Sequence, residues 1–163
     1  LMDPELPAYL SNLSERYPCA SPVTLELTES TLMNDPEGAT RVILDLRTRG
    51  FRFAIDDFGV GYSSLAYLNR LPIDEVKIDR SFVGTFETDP RSALIVRATI
   101  ELAHNLGLRA VAEGVEREET RTALATMGCD RYQGYLMSRP LGSIDLVAFM
   151  NARALKAVPQ VIS

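Results

Sequence analysis

Phe51-Arg52-Phe53-Ala54-Ile55-Asp56-Asp57-Phe58-Gly59-Val60-Gly61-Tyr62-Ser63-Ser64-Leu65 passes from an apolar run into two adjacent carboxylates and then a glycine-rich loop. In parallel α/β architectures the loops beyond the carboxyl ends of the strands build the active site. A strand finishing in Asp56-Asp57 therefore presents acids to the functional face. Taken alone, an Asp-Asp pair is equally a turn in which one Asp caps the next helix. The neighbouring segments tip the balance. Thr24-Leu25-Glu26-Leu27-Thr28-Glu29-Ser30 ends in two acids, Glu75-Val76-Lys77-Ile78-Asp79-Arg80 in a Lys and an Asp, and Arg109-Ala110-Val111-Ala112-Glu113-Gly114-Val115-Glu116 in two Glu. Arg131-Tyr132-Gln133-Gly134-Tyr135-Leu136 carries a Gln. Strand side chains alternate faces, so Lys77 and Asp79 share one face, as do Ala54 and Asp56.

Composition bounds the class. With 163 residues, 46% of them hydrophobic and 24% charged, the chain has material for one domain with a real core. No apolar run approaches the roughly 20 residues of a membrane span, and Leu1-Met2-Asp3-Pro4-Glu5 lacks the features of a secretory signal. No membrane contact is expected from this segment. Cys19 and Cys129 sit in no metal-ligand spacing and are expected as reduced core or surface thiols, which suits a cytoplasmic setting. A net charge of -5 argues against duplex nucleic acid as a partner, since no Lys/Arg stripe is available to neutralise its phosphates. It does not exclude a small nucleotide. The single histidine, His104, falls in the apolar-periodic run Leu94 to Leu106 and is expected as a partly buried helix residue, which leaves histidine-based chemistry poorly supported.

The elements alternate. Residues 3–16 read as a helix ahead of strand 23–28. Asp35-Pro36 opens a helix carrying Val42, Ile43 and Leu46, stopped by Gly50 before strand 51–56. Ser63 or Ser64 starts a short helix ended by Leu71-Pro72, ahead of strand 75–79. Asp89-Pro90 opens a helix with Ile95, Ala98, Leu102 and Leu106 on one stripe, closed by Gly107 before strand 109–113. Helix 117–127, strand 131–136 and a helix over 143–155 complete the chain. About five strands, each followed by a helix, predict an α/β parallel sheet with helical crossovers. Periodicity does not choose between an open doubly wound sheet and part of a (β/α)₈ barrel.

The motifs choose. Glu26-Leu27-Thr28-Glu29-Ser30, Asp56-Asp57-Phe58-Gly59, Gly61-Tyr62-Ser63-Ser64-Leu65, Leu71-Pro72-Ile73-Asp74, Lys77-Ile78-Asp79-Arg80-Ser81-Phe82-Val83, Ala112-Glu113-Gly114-Val115-Glu116 and Gln133-Gly134-Tyr135 follow one another in an order that strongly resembles EAL domains. Those are bacterial signalling phosphodiesterases that hydrolyse cyclic di-GMP to linear pGpG on a modified TIM barrel. The resemblance runs over residues 1–150. It implies an incomplete TIM-type barrel in which residues 1–155 are the C-terminal portion of the domain and 156–163 a tail. The eponymous Glu-Ala-Leu strand and an Asn-bearing strand would lie ahead of Leu1. Val60 stands where the family most often has Thr.

Clustered acids repel a phosphodiester unless hard divalent cations neutralise them, and all-oxygen ligands favour Mg²⁺ or Mn²⁺ over zinc. Two ions are expected, bridged by one Asp. By resemblance, Glu26 and Asp56 hold the first metal together with upstream ligands, and Asp56 and Asp57 hold the second. Lys77 and Glu113 position and deprotonate the attacking water, with Asp79 beside the metal centre. Gln133, Glu116 and Arg80 face the substrate, and Glu29 anchors the Gly59–Ser64 loop. Each has a structural competitor: Lys77 as a buried counter-charge, Asp79 as a cap, Arg80 as a surface charge. The chain by itself is expected to be inactive, and its domain to bind and hydrolyse cyclic di-GMP. The alternatives are a silent cyclic di-GMP receptor and an interaction or dimerisation module using the helix near Ser63–Asn69. Five strands of a barrel would leave two edges and apolar interior such as Leu25, Leu27 and Leu136 exposed, so a homo-oligomer is expected.

Overall fold

In the computed structural model, which describes residues 3, 5–17, 23–60 and 68–157, five parallel strands lie side by side in the order β1-β2-β3-β4-β5. They are β1 (Thr24–Thr28), β2 (Arg52–Phe58), β3 (Glu75–Ile78), β4 (Arg109–Ala112) and β5 (Arg131–Tyr132). The helices are α1 (Leu6–Arg16), α2 (Glu29–Asn34), α3 (Pro36–Thr48), α4 (Arg80–Val83), α5 (Pro90–Asn105), α6 (Glu118–Thr126) and α7 (Ser143–Ala157). Sequential neighbours in an all-parallel sheet make part of a (β/α) barrel, left open between β5 and β1. Among the described residues no helix is long and apolar enough to cross a membrane.

Local chemistry sets the boundaries as expected for the two Asp-Pro starts. Asp35 accepts a hydrogen bond from Gly38 N, and Asp89 from Arg91 N and Ser92 N, each with proline in the first turn. The core is the layer between sheet and helices, where Ile43, Leu46, Phe53, Ile78, Val96, Ile100 and Leu124 are fully buried. The stripe expected on α5 was misplaced. Its buried face is Ser92, Val96, Thr99, Ile100 and Ala103, while Ala98 is exposed and Leu102 and Leu106 only flank it. Two polar residues disguised this face, and one of them, Ser92, is satisfied by Asp89 and Thr85.

One device recurs in two β/α units. Asp74, just before β3, accepts from Phe53 N at the start of β2 and from Arg47 of α3. Asp130, just before β5, accepts from Ala110 N at the start of β4 and pairs with His104 of α5 at 2.9 Å. In both, an acid leading into one strand fastens the entry of its neighbour and a nitrogen-bearing side chain, Arg47 or His104, at the end of a helix. His104, expected as partly buried, is exposed and belongs to this clasp. Burial would raise the Asp130 pKa, but the Ala110 N–H and His104 outweigh it and the carboxyl lies below its ordinary value. Asp130→Ala is expected to cost about 1–2 kcal/mol at pH 7 by urea denaturation. A depressed carboxyl contributes its stability above the ordinary value of 3.8 and loses it as pH falls through the lowered one. The gap between wild type and variant should therefore narrow in strong acid.

Several expectations need correction. Strand 131–136 stops at Tyr132, and at Gly134 the backbone passes so close to Val115 that an added Cβ would sit 2.2 Å from its carbonyl oxygen. At that close approach the chain turns, with Leu136 N donating to Val115 O. Strand 51–56 instead runs on to Phe58, and two short helices, α2 and α4, follow β1 and β3 directly. The helix start at Ser63 or Ser64, most of the Ser63–Asn69 surface, Cys19 and residues 158–163 lie outside the described residues. Cys129 is a buried free thiol, pushed up to about 11 by burial.

The apolar residues expected in the open lumen are not there. Leu25, Leu27 and Leu136 pack into the helix-side core, and the inner face carries Glu26, Glu75, Lys77 and Arg131. Self-association is still expected, now through backbone edges rather than an apolar lumen. The outer edges of β1 and β5 have no strand partner among the described residues, and α7 exposes Ile144, Val147 and Met150. Light scattering across a concentration series should show a mass that rises with concentration; a constant monomer mass would contradict it.

Candidate active site

Adjacent residues on a regular strand point to opposite faces, so Asp56 and Asp57 should diverge. A register shift against β3 between Ile55 and Phe58, with Asp57 at φ 54°, turns them together. Oxygen atoms of Asp56, Asp57 and Glu113 then lie within 4.8 Å of one another. Glu113 follows β4 directly, its N–H held by Ile78 O.

Lys77 sits beneath these acids. Its side chain is 4% exposed, against 46% for Glu26, 25% for Asp56 and 17% for Glu113. Nζ lies 2.6 Å from Glu26 Oε2, 3.0 Å from Asp56 Oδ1 and 2.5 Å from Glu113 Oε1. Glu26 is two strands away on β1, and the residue paired with it on the intervening β2 is Ala54, whose methyl leaves the span open. Burial would lower the ammonium pKa; hydrogen bonding to Glu113, Glu26 and Asp56 overcomes this and raises it. The Glu113 carboxyl is also raised, first by burial and then by Asp56 and Glu26, against the pull of Lys77. Both partners of this contact shift upward, Lys77 because its carboxylate hydrogen bonds outweigh burial and Glu113 because burial outweighs the pull of Lys77.

Asp57 is likewise raised, by partial desolvation and then by Asp56 and Asp79. Asp79 caps α4, accepting from Ser81 N at 2.9 Å and from the Ser81 hydroxyl. Burial raises its pKa, but the Ser81 hydrogen bonds prevail and the carboxyl lies low. Asp79 is thus both the cap and the neighbour of Asp57. Arg80 is exposed and lies over Gly114, where φ is +66° and an added Cβ would sit 2.7 Å from Arg80 Cβ. Glu116 is exposed beyond it.

Gln133, at the end of β5, reaches the same space as the Lys77 group. It lines a cavity of about 430 Å³ together with Glu26, Lys77, Glu75 and Arg131. Glu29 opens α2 rather than ending a strand; it is buried, and its Oε2 has no hydrogen-bond partner among the described residues. The rest of the Gly59–Ser64 loop it was expected to anchor, from Gly61 on, lies outside them.

A cluster at the lower end of the lumen escaped the sequence. Buried Glu75 Oε1 accepts from Arg109 Nε at 3.1 Å and Nη2 at 2.8 Å, and from Arg131 Nη1 at 2.7 Å. It ties β3, β4 and β5 together. The signal was present, since Glu75 alternates onto the same face as Lys77.

The carboxylate group suits a hard divalent cation by an observation independent of its charge. Asp56 Oδ1 is buried and meets no donor among the described residues other than the Lys77 ammonium, 3.0 Å away. It is an acceptor oriented into the group.

Comparison with known proteins agrees with this geometry. The family model described as EAL domain matches residues 1–140. The bifunctional diguanylate cyclase/cyclic di-GMP phosphodiesterase MucR of Pseudomonas aeruginosa is 44% identical over 128 residues, 78% of this chain and 19% of that protein. The solved MucR phosphodiesterase–c-di-GMP complex superimposes with a TM-score of 0.83 at 40% identity, over 89% of this chain and 59% of that one. The EAL domain of Mycobacterium smegmatis DcpA gives 0.87 at 38% identity, over 93% and 68%. A manganese/cy-diGMP complex of Klebsiella pneumoniae BlrP1 gives 0.75 at 33% identity, over 85% and 35%. The matching part of the chain spans 15–33% of the length of the curated relatives. With its open run of barrel strands, its converging acids and a family match over most of its length, the chain belongs to the EAL domain family.

Proposed function

We propose that residues 1–155 are the C-terminal portion of an EAL domain that hydrolyses cyclic di-GMP to linear pGpG in bacterial signalling, in the cytoplasm, with 156–163 as a tail. The observation that carries this is the approach of Asp56, Asp57 and Glu113 to within 4.8 Å, with a buried Asp56 oxygen among them. Glu26, Asp56 and Asp57 would hold Mg²⁺ or Mn²⁺ ions, which when bound neutralise the acids, activate water and stabilise the leaving oxygen.

This chain's own residues supply the rest. Glu113 accepts the proton of the attacking water, a task suited to a carboxyl that burial has raised above its usual range. Lys77, 2.5 Å away, fixes the orientation of that carboxylate. Asp79 holds the turn after β3 and shapes the charge around Asp57. Gln133, at the cavity wall, contacts a phosphate, while the exposed Arg80 and Glu116 meet the guanine bases. Glu29 anchors the loop after β2.

The test is chromatography of cyclic di-GMP incubated with the whole domain and Mn²⁺. Appearance of pGpG, abolished by chelator, supports hydrolysis. Tight binding without cleavage would identify a silent receptor instead.

A further inference from the structure

The Lys77 ammonium is the most buried member of a group in which its charge meets three carboxylates, with Asp57 a fourth alongside. One positive charge against four acids leaves the metal-free site strongly negative, yet Glu26, Asp56 and Glu113 all converge on Nζ within 3.0 Å. These acids come from β1, β2 and the end of β4, so Lys77, on β3, links four consecutive strands of the sheet. Resting on the metal-site assignment above, we propose that Lys77 is the internal counter-ion of the metal-free site. It keeps the carboxylates assembled when no cation is bound and competes with divalent cations for the same oxygens.

Two consequences of opposite sign follow from Coulomb's law at these distances. Removing the ammonium leaves clustered, partly desolvated acids repelling one another, which destabilises the metal-free protein. The same removal takes a positive charge from beside the cation site, which strengthens metal binding. A side chain that merely filled space would show the first effect without the second. One that served only as scaffold for the ligands would weaken metal binding when lost.

The experiment compares wild type with Lys77→Met, which keeps length and apolar stem but not charge, in a complete EAL domain carrying this chain. Thermal unfolding is followed in chelator and in Mn²⁺, and Mn²⁺ affinity is measured by calorimetric titration. The variant is expected to melt several degrees lower in chelator, to recover more than wild type on adding Mn²⁺, and to bind Mn²⁺ about tenfold tighter or more. Sodium chloride at equal ionic strength should not reproduce the recovery. If Lys77→Met does not fold in chelator, the double variant Lys77→Met/Glu26→Gln, with one repelling charge fewer, takes its place. Mn²⁺ binding no tighter than wild type, or recovery equally produced by sodium chloride, overturns the proposal. Failure of both wild type and variant to bind Mn²⁺ overturns the metal site itself. Binding by wild type that the variant does not improve overturns the counter-ion role alone.

Discussion

In a complete EAL domain carrying this chain, Asp56→Asn and Glu113→Gln are each expected to lower cyclic di-GMP turnover by about 10³-fold, by different routes. Asp56 brings a buried oxygen into the carboxylate group, 3.0 Å from the Lys77 ammonium. Its amide replacement keeps the shape and removes the charge a divalent cation requires, so Mn²⁺ affinity should fall by more than about tenfold. Glu113 has a carboxyl raised by burial, and the loss expected on substitution is that of a proton acceptor. Because Glu113 also lies within 4.8 Å of Asp56 and Asp57, a smaller decrease in metal affinity is expected with it. Titration of both variants with cyclic di-GMP, Ca²⁺ replacing the catalytic ion, separates the roles. Glu113→Gln should retain ligand and Asp56→Asn should not. Equal binding by the two would overturn the division of labour.

The 163 residues on their own should turn over cyclic di-GMP far below the roughly 1 s⁻¹ at which enzymes commonly operate. Glu26 belongs to β1, whose outer edge has no strand partner among the described residues, and its side chain is 46% exposed. A metal ligand on an unsupported edge strand lacks the packing that holds coordination geometry. A lumen open between β5 and β1 also admits the water that a closed site excludes. Turnover measured with Mn²⁺ at several protein concentrations decides this. Sustained hydrolysis near 1 s⁻¹ would show that the open sheet completes the site in another way, and a rate rising steeply with concentration would point to completion between copies.

Much of this was legible before any coordinates. The five strand positions followed from short apolar runs between Asp-Pro starts and glycine stops, because caps and turn residues act locally. That Glu26, Asp56, Lys77 and Glu113 would meet followed from their places at or near strand ends and from the resemblance to EAL domains. The buried face of α5 was not legible. Its polar members, Ser92 and Thr99, are tolerated inside, and Ser92 gains its partners from Asp89 and from Thr85 on the preceding turn. Nor was the clasp of His104 and Asp130, which joins residues 26 apart in sequence.

The sequence by itself determined the parallel β/α order and the identity of the chemistry-bearing side chains, since both rest on local propensity and alternation. Tertiary structure alone decided how those side chains share space. Whether Asp56 and Asp57 diverge or converge depends on a bulge set by pairing with β3, which strand periodicity does not encode. Whether Lys77 reaches Glu26 depends on a diagonal across β2, where Glu26 is paired with the small Ala54 and Ala54 with Glu75, two residues before Lys77. Whether the lumen is apolar or ionic depends on which alternate face of each strand the helices cover. Leu25 and Leu27 went to the helices, and Glu26, Glu75 and Lys77 were left to face one another. Charge and distance compete there over several strands at once, and only the assembled sheet fixes the distances.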